Sequence, residues 1–139
     1  MLIDPVFTIR ETALQSMIEI SKTTMSSEWL LKIMLAKISE LSKNERFMIR
    51  IQAIHFINRM APEVTKEVLS KQFAEVLISL ADDPVPNIRF NVSKSIESLY
   101  HKLSAGGKFK VEGSIKKMCG DADFDCQYFA RKCMERIQM

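Results

Sequence analysis

The sequence predicts an all-α fold, a right-handed α-α superhelix of about three and a half stacked repeats, on three observations. The chain aligns with itself four times, in segments 4–20 (DPVFTIRETALQSMIEI), 44–60 (NERFMIRIQAIHFINRM), 83–99 (DPVPNIRFNVSKSIESL) and 121–137 (DADFDCQYFARKCMERI), whose starts lie 40, 39 and 38 residues apart. Within each segment small or apolar residues recur at helical spacing: Ile9, Ile49, Ile88 and Cys126, then Ala13, Ala53, Val92 and Ala130, then Met17, Ile57, Ile96 and Met134. Further amphipathic stretches fill the intervals. A period of this length with helices inside it is the signature of a solenoid, in which each unit buries its apolar face only by stacking on its neighbours.

The first element, residues 1–24, is half a repeat: a turn and a second helix with no first helix, since only three residues precede Asp4. Its Leu14, Met17, Ile18 and Ile20 lack a pairing helix. The expectation is a piece cut from a longer array, prone to self-association through that flank. The repeat at about 25–63 begins with a stretch, 27–42, so dense in apolar residues (Trp29, Ile33, Met34, Ile38 and Leu41 among them) that it should be covered on more than one side, with Trp29 in the core. In the repeat at about 64–103, Leu69, Phe73, Val76, Leu77 and Leu80 trace one helix face. The last repeat, about 104–139, carries Gly106, Gly107 and Gly113 in its first helix, each costing about 1 kcal/mol relative to alanine.

Turn chemistry marks the boundary inside each repeat. Four residues after each segment start stand Thr8, Met48, Asn87 and Asp125, three of them good N-caps for the helix that follows. Pro5 and Pro84 suit the turn itself. One position earlier stand Phe7, Phe47, Pro86 and Phe124, an aromatic ring in three of four repeats. Such a row of rings is either a linear apolar strip for a partner or a set of staples, each folded back over its own helix. Arg10, Arg50 and Arg89 fall in the first turn of the second helices, where the helix dipole disfavours a cation. Either a ladder of bonds to acidic residues or turn carbonyls of adjacent units compensates them, or a partner does.

Composition narrows the function. Apolar residues at 47% and charged ones at 27% are those of a globular protein, and a net charge of +3 spread through the chain gives little footprint for nucleic acid. A helical-repeat nucleic-acid module would need a basic stripe, for which Lys94, Lys102, Lys108, Lys110, Lys116 and Lys117 are the candidates. No apolar run approaches the roughly 20 residues of a membrane span, and Asp4 and Arg10 interrupt any signal-peptide core. Cys119, Cys126 and Cys133 read as reduced, packed thiols, Cys126 standing where other repeats have isoleucine; the expected compartment is the cytoplasm or the nucleus. His55 and His101 are far apart and have no nucleophile or ligand partners in the repeat pattern, and Gly106-Gly107 lacks the Lys-Ser/Thr of a phosphate loop. No catalytic residue, cofactor or metal ligand set is expected, and the chain is read as a non-enzyme.

The string Asp-Pro-Val-Pro-Asn-Ile-Arg-Phe-Asn-Val at 83–92, with Thr-Ile-Arg-Glu at 8–11, Ser-Lys-Ser at 93–95 and Tyr-Phe-Ala at 128–130, resembles the C-terminal HEAT repeats of the scaffolding, A-type regulatory subunits of protein phosphatase 2A. The resemblance runs over essentially the whole chain. It implies a non-catalytic scaffold whose intra-repeat turns form a ridge for a serine/threonine phosphatase catalytic subunit, with regulatory B-type subunits docking on N-terminal repeats absent here. Carried over by position, the ridge residues are Phe7 and Thr8, then Phe47, Met48 and Arg50, then Val85 and Asn87, then Phe124 and Tyr128. Asn44-Glu45-Arg46 replaces the family's usual Asp-Pro, and Gln127 replaces the expected arginine. Another HEAT adaptor, for transport or complex assembly, is the alternative reading.

Overall fold

Six helices and their turns account for residues 27–137, which together with Thr12, Gln15, Ser16 and Glu19 are the residues that the computed structural model describes. No strand occurs among them, and the architecture is an all-α helical repeat. The chain divides after Val64 into two units. The expected first turn, with Phe7 and Thr8, and the apolar flank Leu14, Met17, Ile18 and Ile20 lie outside the described residues.

In the first unit, helix α1 (Ser27–Ser42) packs against α2 (Phe47–Met60). The buried stripe of α1 is Met34, Ile38 and Leu41, while α2 buries Ala53, Ile54, Phe56, Ile57 and Met60. Coverage of α1 from several sides, expected from its apolar density, is not seen among the described residues. Trp29 is 69% exposed and Ile33 42% exposed, so Trp29 is a surface residue. The reason is phase: Trp29 lies five residues before Met34, roughly 140° around the helix from the stripe that meets α2.

The second unit is two layers of two helices. Helix α3 (66–80) lies beside α5 (Ala105–Met118), and α4 (Pro86–Leu99) beside α6 (Phe124–Ile137), with contacts between layers from α3 to α4 and α5 to α6. Leu69, Phe73, Leu77 and Leu80 of α3 are buried as their spacing predicts; Val76 is half-buried. The helix is not regular, however. Residues Leu69–Phe73 form a π turn, closed by the Ala74 N–H bonding the Leu69 carbonyl, and the extra residue turns Ser70 inward beside Leu69. There the Ser70 hydroxyl accepts the backbone N–H of Ser104 at 2.8 Å.

That contact explains the glycines. Ser104 caps α5 by accepting the Gly107 N–H at 3.2 Å, and a Cβ on Gly107 would stand 2.8 Å from Ser70 Cβ, so only glycine allows the two helices this approach. Gly106 and Gly113 face open space. Helix α5 forms over 14 residues despite its composition, because a cap and a tertiary contact outweigh intrinsic propensity. The thiols pack as expected: Cys126 and Cys133 are fully buried and Cys119 half-buried, and burial, the leading cause, pushes Cys133 up to about 12. Such thiols stay protonated and inert.

Candidate functional site

Each of the three described intra-repeat turns is built by an Asn or Asp at the segment's first residue. Asn44 Oδ1 accepts the Arg46 N–H at 2.9 Å, Asp83 Oδ1 the Val85 N–H at 2.9 Å, and Asp121 Oδ1 the Asp123 N–H at 2.8 Å. These are Asx turns, in which a short acceptor side chain bonds the backbone two residues on. The helices then start two residues earlier than the N-cap expectation placed them. Phe47, Pro86 and Phe124 are the first helical residues, the first two preceded by Arg46 and Val85 as N-caps with no side-chain cap bond. Met48, Asn87 and Asp125 therefore sit inside the helix and cap nothing. Asn87 spends its side chain and its carbonyl on the Asn91 amide, both at 2.7 Å, and Asp125 instead has its N–H held by Asp123 Oδ1 at 3.1 Å.

Six residues into each of the three later segments a long side chain reaches back to close the turn; Arg10, at this place in the first, lies outside the described residues. The Arg50 guanidinium donates to the carbonyls of Asn44 and Glu45, each at 2.9 Å, and Arg89 Nη1 donates to the Asp83 carbonyl at 2.8 Å. Gln127 makes the corresponding bond to the Asp121 carbonyl with its neutral amide, so the departure from arginine preserves this geometry. Arg89 does more. Its Nε and Nη2 grip both carboxylate oxygens of Asp121, at 2.8 and 3.0 Å, with side chains only 16% and 11% exposed. One planar guanidinium thus ties its own turn to the next turn by a bidentate fork, which is what offsets the unfavourable dipole. The expected ladder is present here in mixed form: the carbonyl belongs to arginine's own unit, and the acid to the next.

The pair is visible in the ionisation of both groups. The hydrogen bond from Arg89, first among the causes, holds the Asp121 carboxyl below its usual value of 3.8, and the same bond raises Arg89. A carboxylate with a depressed folded-state pKa adds stability that is present above the unfolded value and lost as pH falls through the folded one. Wild type should therefore lose stability more steeply than Asp121→Asn below about pH 4, in urea titrations at stepped pH. Equal slopes would show the pair contributes nothing.

With the turns fixed in this way, the apolar residues on them stand out to solvent. Phe47 is 40% exposed and Met48 53%; in the second unit Phe124 is 87% exposed and Tyr128 58%. Phe124 and Tyr128, four residues apart, occupy one side of α6. At 87% exposure Phe124 is no staple over its own helix. Val85 is half-buried, Asn87 exposed. Within the second unit the turns that carry Val85, Asn87 and Phe124 are held side by side by Arg89.

No protein-family model matches the chain. Two curated proteins are similar to parts of it, both named as the A regulatory subunit of protein phosphatase PP2A. The one from Saccharomyces cerevisiae is 33% identical over 106 residues, covering 71% of this chain and 17% of that protein. The one from Schizosaccharomyces pombe is 39% identical over 75 residues, covering 54% of this chain and 13% of that protein. These similarities support a HEAT-repeat relationship. The chain spans less than a fifth of the length of either relative. Both relatives are named as regulatory, not catalytic, subunits.

Four of the six lysines of the rival basic stripe are paired, stacked or set apart from the others. Lys110 pairs with Glu75 at 2.5 Å and Lys117 with Asp82 at 2.6 Å, Lys108 lies over the Tyr100 ring at 5.1 Å, and Lys94 is on a different layer. Among the described residues no group of His, Cys, Asp and Glu side chains could hold a metal ion, and no helix is long and apolar enough to cross a membrane. One feature of the site went unread in the sequence: Phe90 and Phe129 lie against each other beside Tyr128, with ring centroids 5.4 and 5.1 Å apart. The signal was an aromatic residue seven positions after one segment start, Phe90, and a pair seven and eight positions after the next, Tyr128 and Phe129.

Proposed function

We propose that this chain is part of a non-catalytic scaffold that holds the catalytic subunit of a 2A-type serine/threonine phosphatase on its intra-repeat turns. The observation that carries this reading is the set of solvent-facing apolar residues on clamped turns: Phe47 and Met48 in one unit, Phe124 and Tyr128 in the other. A large ring on a rigid turn is already desolvation-ready and loses little conformational entropy on binding, the property of an interface anchor. The names of the relatives supply the class of partner. Arg50 serves by holding the turn of Phe47 and Met48, and in the second unit Val85 and Asn87 lie at the turn that Arg89 ties to that of Phe124. Regulatory B-type subunits belong on repeats other than these, and a cytoplasmic or nuclear location goes with the role.

The test is binding of the purified catalytic subunit to the full chain, read by calorimetry. Phe124→Ala combined with Val85→Asp should weaken it by at least about tenfold, one central anchor being worth about 1–2 kcal/mol or more. The fold should survive both changes, because Phe124 is nearly free of the protein and an aspartate at the N-cap position of Val85 favours helix α4. Unchanged affinity would remove the turns from the interface, and no binding by the wild-type chain would end the proposal.

A further inference from the structure

The face that α4 and α6 turn outward carries two lysines set over aromatic rings. Lys94 Nζ stands 4.3 Å from the centroid of the Phe129 ring and 5.3 Å from that of Phe90, and Lys132 Nζ stands 5.7 Å from that of Tyr128. Neither ammonium has a carboxylate within ion-pair distance among the described residues. Elsewhere in the same unit Arg89, Lys110, Lys117 and Arg136 each have one. A ring quadrupole attracts a cation without neutralising it, so both positive charges persist. Lys94 and Lys132 are equivalent residues, each 11 positions into its segment, on two helices that pack side by side. They therefore form a row with one charge per repeat, floored by rings, and the floor is continuous through Tyr128 with Phe124 on the turn.

We infer that this face receives an acidic segment of the protein partner, whose carboxylates reach Lys94 and Lys132 while its apolar residues meet the exposed rings of Tyr128 and Phe124. The inference rests on the scaffold reading for the identity of that partner, and adds to it the chemistry the partner must present. A carboxylate-bearing peptide fits better than a nucleic-acid strand. The Phe90 and Phe129 faces are already occupied by each other and by Lys94, leaving little open π surface for bases. Asp123 and Asp125 flank Phe124 at the turn, where they would repel a phosphodiester backbone, whereas a peptide needs acid only where it passes the lysines.

Binding of the full chain to the purified phosphatase catalytic subunit decides the matter. The double variant Lys94→Glu, Lys132→Glu should weaken it about tenfold at about 50 mM salt. At about 1 M salt, where screening acts over about 3 Å, the variant and wild type should converge. Lys94→Arg with Lys132→Arg should bind as wild type. By contrast, Phe124→Ala with Val85→Asp should lose affinity at both salt concentrations. If the catalytic subunit binds wild type but the charge reversals leave affinity and its salt slope unchanged, the acidic-segment inference is overturned while the turn ridge stands. Failure of wild-type binding is the failure of the scaffold reading itself. A salt-sensitive complex with an oligothymidine of about 20 nucleotides that the charge reversals abolish would assign the face to nucleic acid instead.

Discussion

Arg89→Ala should lower the unfolding free energy by about 2–3 kcal/mol in urea denaturation, more than any surface ion pair would cost. The substitution removes three bonds at once: two to Asp121 and one to the Asp83 carbonyl. It leaves a carboxylate whose side chain is 11% exposed without its cation, retaining only the Asp123 N–H. The uncompensated acceptor, more than the lost attraction, sets the size of the effect. Arg89→Lys should recover less than half of it, since a single ammonium cannot span two carboxylate oxygens and a carbonyl on the far side. A loss under about 0.5 kcal/mol for Arg89→Ala would mean that water replaces the guanidinium without cost and that the turns are positioned by packing alone.

Gly107→Ala should cost about 2–3 kcal/mol, at the upper end of what a single added methyl does in a packed interior. The methyl would meet the Ser70 Cβ at 2.8 Å and its Cα at 3.3 Å, and neither atom can swing aside as a side-chain terminus would. Pushing α5 away also stretches the 2.8 Å bond from the Ser104 N–H to Ser70. Gly113→Ala, in the same helix with nothing within 4 Å, provides the control and should stabilise by about 0.5–1 kcal/mol through propensity alone. Thermal unfolding of the two variants side by side separates the contact from the propensity. Equal shifts would refute the close approach.

The helix pairs were legible because repetition averages out local noise. Ala53, Val92 and Ala130 occupy one register position and are all fully buried, as are Ile88 and Cys126 at another. What could not be read was anything that depends on the third dimension at a single residue. Asn87 has the chemistry of a cap, but the Asx turn at Asp83 shifts the helix start so that Asn87 lands inside it. Trp29 has the size of a core residue, yet only its phase relative to Met34 decides its side. Gly107 scores as a helix breaker in a propensity sum, whereas the backbone of α3 makes it a requirement. At the turns, Phe124 was recognisable as an aromatic in an odd place. Its freedom from its own helix became apparent only through its 87% exposure, and the lysine-and-ring face beside it needed two helices from different repeats to come together.

The π turn of α3 is a one-residue insertion that the rest of the helix does not feel. Because the Ala74 N–H already bonds the Leu69 carbonyl across five positions, removing one residue from 71–73 would turn that bond into an ordinary α-helical one and leave Leu69 and the residues before it in phase with Ala74, Leu77 and Leu80. What the insertion changes is confined to the turn itself, where it sets the place of the Ser70 hydroxyl against the Ser104 amide and Gly107. The extra residue is thus a local adjustment of one polar contact, absorbed within a single turn and not passed on along the helix.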